Sequence, residues 1–214
     1  MRWSTLSEQS DNSMSLSQYT LYIYGAGGHG RVVQDFSPGY SLTQFVSDRP
    51  LKGAISPEEI PEGARVVVAI GDNFSREDVA RGLQYSDKSL IFPTVRHPSA
   101  EISNLATYEE GVMFCAKSVV VTGAHIGQFA IINTGATVDH DCEVGQFAHI
   151  APGVNLCGTV RVGECTLVGV GSSVRPEITI GRNTIIGAGS VVVNDIPSGV
   201  IAHGNPCRVI KEIE

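Results

Sequence analysis

The chain has 214 residues, 17% of them charged, and a formal net charge of −7. It is long enough to bury a core and too acidic to favour nucleic acid or an anionic membrane surface as a partner, so any anionic ligand must be held by local donors. Five cysteines, Cys115, Cys142, Cys157, Cys165 and Cys207, form no CxxC pair and fit a reduced, cytoplasmic protein.

Residues 1–18 hold six serines and no continuous apolar run, which predicts a flexible extension, neither signal peptide nor membrane span. A strand is expected from Tyr19 to Tyr24, running into Gly25-Ala26-Gly27-Gly28-His29-Gly30 and then a helix beginning at Arg31. Glycines let backbone approach an anion closely, and a helix N-terminus presents free N–H groups, so this is a phosphate cradle. Further strands are expected at Leu42 to Val46, ending at Ser47-Asp48, and at Arg65 to Ile70, running into Gly71. A helix follows from Phe74 to Gln84, and a short strand from Leu90 to Val95. The glycines also satisfy the dinucleotide fingerprint, but the stretch 19–96 has room for only one mononucleotide-binding half of a doubly wound sheet. In that half His29 is suited to donate to a phosphate oxygen and Asp48 to accept from a base or ribose. The linker Arg96-His97-Pro98-Ser99-Ala100 puts the domain boundary between 19–96 and 97–214.

From Ile102 to Ile196 the sequence repeats every six residues without a slip. Stepping by six from Ile102 to Val192 meets only apolar or aromatic residues, and four places after each anchor the side chain is small or β-branched. Period two along a strand puts both on one face, and a corner between successive pairs carries the chain round an axis, so each hexapeptide is one side of a prism. Glycines directly after anchors, at Gly127, Gly145, Gly163, Gly169, Gly181 and Gly187, predict tight turns at positive φ. The repeat alone fixes neither the number of sides nor the hand.

Polar residues interrupt this pattern. His140 and Asp141 fall at a corner after the anchor Val138, where neighbouring side chains can converge, and eighteen residues on, stacked over His140 if the prism has three sides, is Gly158. A base, a carboxylate to hold and polarise it, and a bare N–H for an oxyanion make up most of an acyl-transfer site. No GxSxG nucleophile elbow is present, which favours direct attack on an activated acyl donor. Asn133 and the outward-pointing His149 share a second neighbourhood. His149 lies nine residues, half such a coil, from His140, so the two can meet round one substrate only across two chains. That separation, with flat sides that would expose apolar surface if left alone, predicts a homotrimer with active sites between chains.

The repeat resembles the hexapeptide-repeat acyltransferases. Six stretches carry a more specific resemblance: Tyr22 to Gly30, Ala69-Ile70-Gly71-Asp72-Asn73, His97-Pro98-Ser99-Ala100, Ile132 to Asp141, Ala148 to Gly153, and Gly204-Asn205-Pro206. Together they are similar to the bacterial sugar-nucleotide N-acetyltransferases and sialic acid O-acetyltransferases. The resemblance implies an α/β Rossmann-like half domain followed by a left-handed parallel β-helix with three hexapeptides per coil. It implies His140 as catalytic base with Asp141 as its modulator. It also places Asn133, His149, Gly158, Val170 and Ala188 along acetyl-CoA, and assigns Ala26, Gly27, Gly28, His29, Ser47, Asp48 and Gly71 to the nucleotide. The expected reaction is acetylation, from acetyl-CoA as cosubstrate and with no metal, of a nucleotide-linked amino sugar such as a 4-amino-4,6-dideoxy hexose. The base is left open, because Ser47-Asp48 stands where relatives commonly show two acids. Alternatives from the sequence are O-acetylation of a sialic acid or other sugar, a trimeric zinc hydratase using histidines such as His125 and His203, and a noncatalytic solenoid.

Overall fold

The computed structural model describes residues 19–37 and 39–213; the extension expected over 1–18 lies outside the described residues. The front domain comprises β1 (Thr20–Tyr24), α1 (Gly28–Asp35), β2 (Leu42–Val46), β3 (Ala54–Ile55), β4 (Arg65–Val68) and α2 (Asn73–Gln84). Its four strands are parallel in the order β3-β2-β1-β4. The chain leaves β1 for β2 on one side and returns to β4 on the other, so the carboxyl ends of β1 and β4 form the switch-point crevice where such sheets take ligands. Two glycines make the first turn possible. Gly25 has φ +108°, and a Cβ on Gly30 would lie 1.8 Å from the Gly25 carbonyl oxygen, so only a bare Cα lets α1 start beneath β1.

The strand expected over Leu90 to Val95 is replaced by two separate contacts. Ile91 makes a single parallel bridge with Arg65, and Val95–Arg96 pairs with Met113–Phe114 of the repeat. Phe92 between them turns inward to meet Phe129, with ring centroids 5.3 Å apart. The chain thus crosses from one sheet to the next through Phe92 rather than running straight.

Beyond this crossing the hexapeptides stack as a three-sided parallel β-helix. Pairs such as His125 with Glu143, Ile131 with His149 and Thr137 with Asn155 lie eighteen residues apart, one coil, on three separate sheets. We name the sheets in the order the chain visits them. The first includes Met113–Phe114, Ile131–Ile132, His149–Ile150 and Leu167–Val168; the second Thr137–Val138 and Asn155–Leu156; the third His125–Ile126, Glu143–Val144 and Arg161–Val162. Anchors and small residues interdigitate inside, with Ile126, Ile132, Val138, Ala130, Ala136 and Ala148 fully buried.

The glycines after the anchors do not take positive φ. That conformation falls two places later, at Lys117, Phe129, Asp141, Phe147, Thr159, Cys165, Glu177 and Asn183, and at Gly111, Gly123, Gly135, Gly153, Gly171 and Gly189. The glycines serve close approach instead: a Cβ on Gly127 or Gly145 would come within 2.6 Å of a backbone nitrogen one coil on. The turn can therefore be made by non-glycine residues, while the column after the anchor cannot carry a side chain where coils meet tightly.

The front domain covers the first sheet. Leu21, Ile23, Val33, Phe36 and Val67 pack with Met113, Cys115 and Ile131. Its opposite side, through Tyr24, Val66, Val68 and Ala80, shares a cluster with the corner residues Phe129, Phe147 and Cys165. The other two sheets do not expose the apolar sides expected. Their outward positions are polar at Thr137, Asn155 and Ser173 on the second, where only Val119 and Val191 among the described residues are apolar, and at Thr107, His125, Glu143, Arg161 and Thr179 on the third, so most apolar residues go inward and most polar ones meet solvent. Val200–His203 continues the first sheet and pairs antiparallel with Arg208–Glu212. Among the described residues no helix is long and apolar enough to cross a membrane.

Candidate functional site

The nucleotide-type residues gather at the switch-point crevice. Ala26, Gly27 and Gly28 form the turn from β1 into α1, whose first N–H groups receive no side-chain cap; a Cβ on Gly27 or Gly28 would meet nothing within 4 Å. His29 sits in the first turn of α1 with its Nε2 buried and unpartnered among the described residues. Burial, and secondarily the Arg76 charge, lowers its pKa to about 4. At the end of β2, Ser47 accepts from the Arg49 N–H at 3.2 Å, and Asp48 accepts a short hydrogen bond from the Tyr24 hydroxyl. Ser47 and Asp48 line a cleft of about 540 Å³ with Arg49, Lys52 and Glu59. Gly71 follows β4 across the crevice.

His149 projects from the first sheet against this domain. Its Nδ1 lies 3.2 Å from the Gly71 carbonyl oxygen and its Nε2 2.9 Å from Asn133 Nδ2. Burial is the main cause lowering its pKa to about 4, helped by Arg76 and by His29, whose ring centroid is 6.4 Å away. Asn133, Val170 and Ala188 lie along the corner between the first and second sheets, with Val170 and Ala188 exposed. The Gly189 N–H donates to the Val170 carbonyl at 2.8 Å, tying the two coils together.

His140, Asp141 and Gly158 occupy a different corner, between the second and third sheets. Asp141 has φ +57°, a conformation Asp tolerates, and accepts from His140 Nδ1 at 2.9 Å. That bond is the leading cause raising the His140 pKa, aided by the charges of Asp139 and Asp141. It also fixes the proton on Nδ1, leaving Nε2 as the free base. Gly158 lies one coil above: a Cβ there would be 2.4 Å from His140 Nε2. Its neighbours Cys157 and Thr159 donate their N–H groups to the carbonyls of Val174 and His140. Gly123, one coil below, makes the matching space for Asp141, since its Cβ would fall 2.3 Å from Oδ1.

The structure thus divides the expected residues into a nucleotide group and an Asn133–His149 group, adjoining each other, and a His140 group across the prism. The front domain lies over the first sheet, and the second-to-third corner is the one opposite it. Within one chain His140 and the crevice therefore lie on opposite sides of the prism.

Sequence reasoning missed Arg76 and Asn73. Arg76 is fully buried, and its guanidinium donates to the carbonyls of Phe129 at 2.9 Å and Phe147 at 2.6 Å on the coils, and of Ile70 at 2.9 Å and Gly71 at 3.2 Å in the front domain. Asn73 accepts from Arg76 and donates to the Cys165 carbonyl at 3.0 Å. The usable signal was Phe129, Phe147 and Cys165 recurring every eighteen residues at a turn position. Apolar residues at three consecutive exposed corners imply something packed on them.

Residues 20–83 match the family described as the PglD N-terminal domain. Over 90% of this chain and 97% of that one, the structure is similar to a mutant of perosamine N-acetyltransferase from Caulobacter crescentus in complex with CoA and GDP-perosamine, at 37% identity and a TM-score of 0.84. The acetyltransferase domain of PglB from Neisseria gonorrhoeae, in complex with acetyl coenzyme A, is 34% identical over 89% of this chain and 98% of that one, with a TM-score of 0.81. WeeI from Acinetobacter baumannii is 25% identical over 90% and 100%, with a TM-score of 0.80.

Proposed function

Because the chain belongs to the sugar-nucleotide N-acetyltransferases of the hexapeptide-repeat family, with their left-handed β-helix, we propose that it moves an acetyl group from acetyl-CoA to the amine of a nucleotide-linked amino sugar. The observation that carries this reading is His140, oriented by Asp141 with Nε2 free, beneath the bare Gly158. His140 Nε2 takes a proton from the attacking amine as the C–N bond forms at the thioester carbon. The Gly158 N–H steadies the oxyanion, the C–S bond breaks, and the imidazolium returns the proton to the departing thiolate.

In this reading the nucleotide occupies the crevice at Ala26, Gly27, Gly28, His29, Ser47, Asp48 and Gly71. The unpartnered His29 Nε2 and the uncapped start of α1 support a phosphate there. The sugar is a 4-amino-4,6-dideoxy hexose. Acetyl-CoA runs past Asn133 and His149 and along Val170 and Ala188, bonding to backbone much as an added strand does. The opposite placement of the crevice and His140 favours a homotrimer in which one chain's second-to-third corner faces the next chain's first-to-second corner. Five free cysteines favour the cytoplasm.

The test is thiol release from acetyl-CoA with a panel of UDP-, GDP- and dTDP-linked 4-amino-4,6-dideoxy sugars, with sialic acid as the hydroxyl acceptor. Release with one of the amino sugars supports the reading. Release only with sialic acid replaces it with O-acetylation.

A further inference from the structure

The Gly71 carbonyl oxygen sits 3.2 Å from Arg76 Nη1 and 3.2 Å from His149 Nδ1. Those contacts determine the state of the His149 ring. Asn133 Oδ1 accepts from the Thr134 N–H at 2.7 Å, so its amide nitrogen must be the group 2.9 Å from His149 Nε2. A flipped amide would set N–H₂ against N–H. Nε2 is therefore an acceptor and Nδ1 carries the hydrogen donated to Gly71, the less populated tautomer of a free imidazole.

We propose that Arg76 is a positioning residue for acetyl transfer, fixing the Gly71 carbonyl so that it selects the Nδ1–H tautomer of His149, whose Nε2 then holds the Asn133 amide in place along the acyl-CoA edge. The proposal rests on the reading of His149 and Asn133 as acyl-CoA contacts. Three features support it. The guanidinium reaches both sides of the junction at once, holding Phe129 and Phe147 on successive coils while holding Ile70 and Gly71 on the loop after β4. Its Nε and Nη2 bonds to the coils set the plane in which Nη1 meets Gly71, which a point-charge ammonium cannot do. Finally, no carboxylate touches this buried cation among the described residues, and its hydrogen-bond partners there are backbone carbonyls and the Asn73 amide. Simple filling of the junction would be served as well by an apolar side chain of similar volume.

The experiment uses the full-length enzyme labelled with ¹⁵N in its histidine rings, with His149→Gln to assign the resonance. Long-range ¹H–¹⁵N spectra of the wild type are expected to show His149 as Nδ1–H. In Arg76→Lys and Arg76→Gln the ring should move to the Nε2–H or a mixed form, and kcat should fall about ten- to a hundredfold, the scale of a misplacement of about 1 Å. CoA affinity by calorimetry should stay within about twofold, because its arm along Val170 and Ala188 is distant from the guanidinium. A wild-type ring in the Nε2–H form overturns the proposal whether or not the variants fold. Variants with a displaced tautomer and full kcat overturn it too, as does a joint loss of kcat, CoA binding and cooperative melting. A wild type that acetylates none of the amino sugars while keeping Nδ1–H refutes the acetyl-transfer reading instead, so the two failures are distinct.

Discussion

Gly158→Ala isolates the geometry at the proposed base. The substitution keeps the backbone N–H, and Gly158 is outside the positive-φ region, so alanine fits the chain there. Its Cβ, however, would lie 2.4 Å from His140 Nε2 and 2.5 Å from Cε1. To regain ordinary contact the imidazole must retreat by about 1 Å, and a displacement of that size at a reacting group costs about 10² in rate. His140 is at an exposed corner with room to swing, so stability should barely change, and the loss of glycine's unfolded-state freedom offsets part of any strain. Thiol release in a continuous assay should therefore show kcat down about a hundredfold, with CoA affinity and the melting midpoint close to wild type. A variant retaining half or more of the wild-type kcat would refute the requirement that His140 Nε2 sit against Gly158 to take the proton of the attacking amine.

His140→Ala should keep the fold and lose about 10² to 10⁴ in turnover. Asp141→Asn should be milder and move the acid limb of kcat/KM to lower pH, because removing the carboxylate removes the leading cause of the raised His140 pKa and the base stays neutral further down; an unmoved limb counts against the pair. Gly30→Ala should destabilise the glycine turn, since its Cβ meets the Gly25 carbonyl at 1.8 Å, while Gly28→Ala, with open space around it, should fold normally and weaken only sugar-nucleotide binding in calorimetry. Mixed trimers of His140→Ala and His149→Gln chains should recover part of the activity, and verified mixed trimers that stay as inactive as the single variants would exclude sites between chains. The buried His149 binds its proton only near pH 4, whereas the unfolded chain binds it near 6.5, so stability should fall as pH drops through that window. Thermal midpoints of His149→Gln should fall less over the same range, and parallel curves would contradict the assignment.

The period of six by itself called for a prism-shaped β-coil, because apolar anchors and small partners at constant spacing can all be buried only if the chain coils round an axis, but it left the number of sides and the hand open. The His140–Asp141 pair stood out because an acid beside a histidine at a solenoid corner serves no packing need, whereas the stacking of Gly158 over His140 required the three sides that the family resemblance implied. The φ pattern was not readable: glycine after the anchor looks like a turn residue, yet the turn falls two places later and the glycine yields to the backbone of the next coil. Strand Leu90 to Val95 failed for a similar reason, its alternation being consumed by Phe92 packing into Phe129. Sequence by itself determined the register of the hexapeptides and which polar residues, His140 and Asp141 among them, break the pattern. Only the tertiary structure decided which corner the front domain covers, because that depends on Arg76 and Asn73 meeting carbonyls of Phe129, Phe147 and Cys165 across more than fifty residues of chain, and backbone carbonyls carry no signature in the sequence.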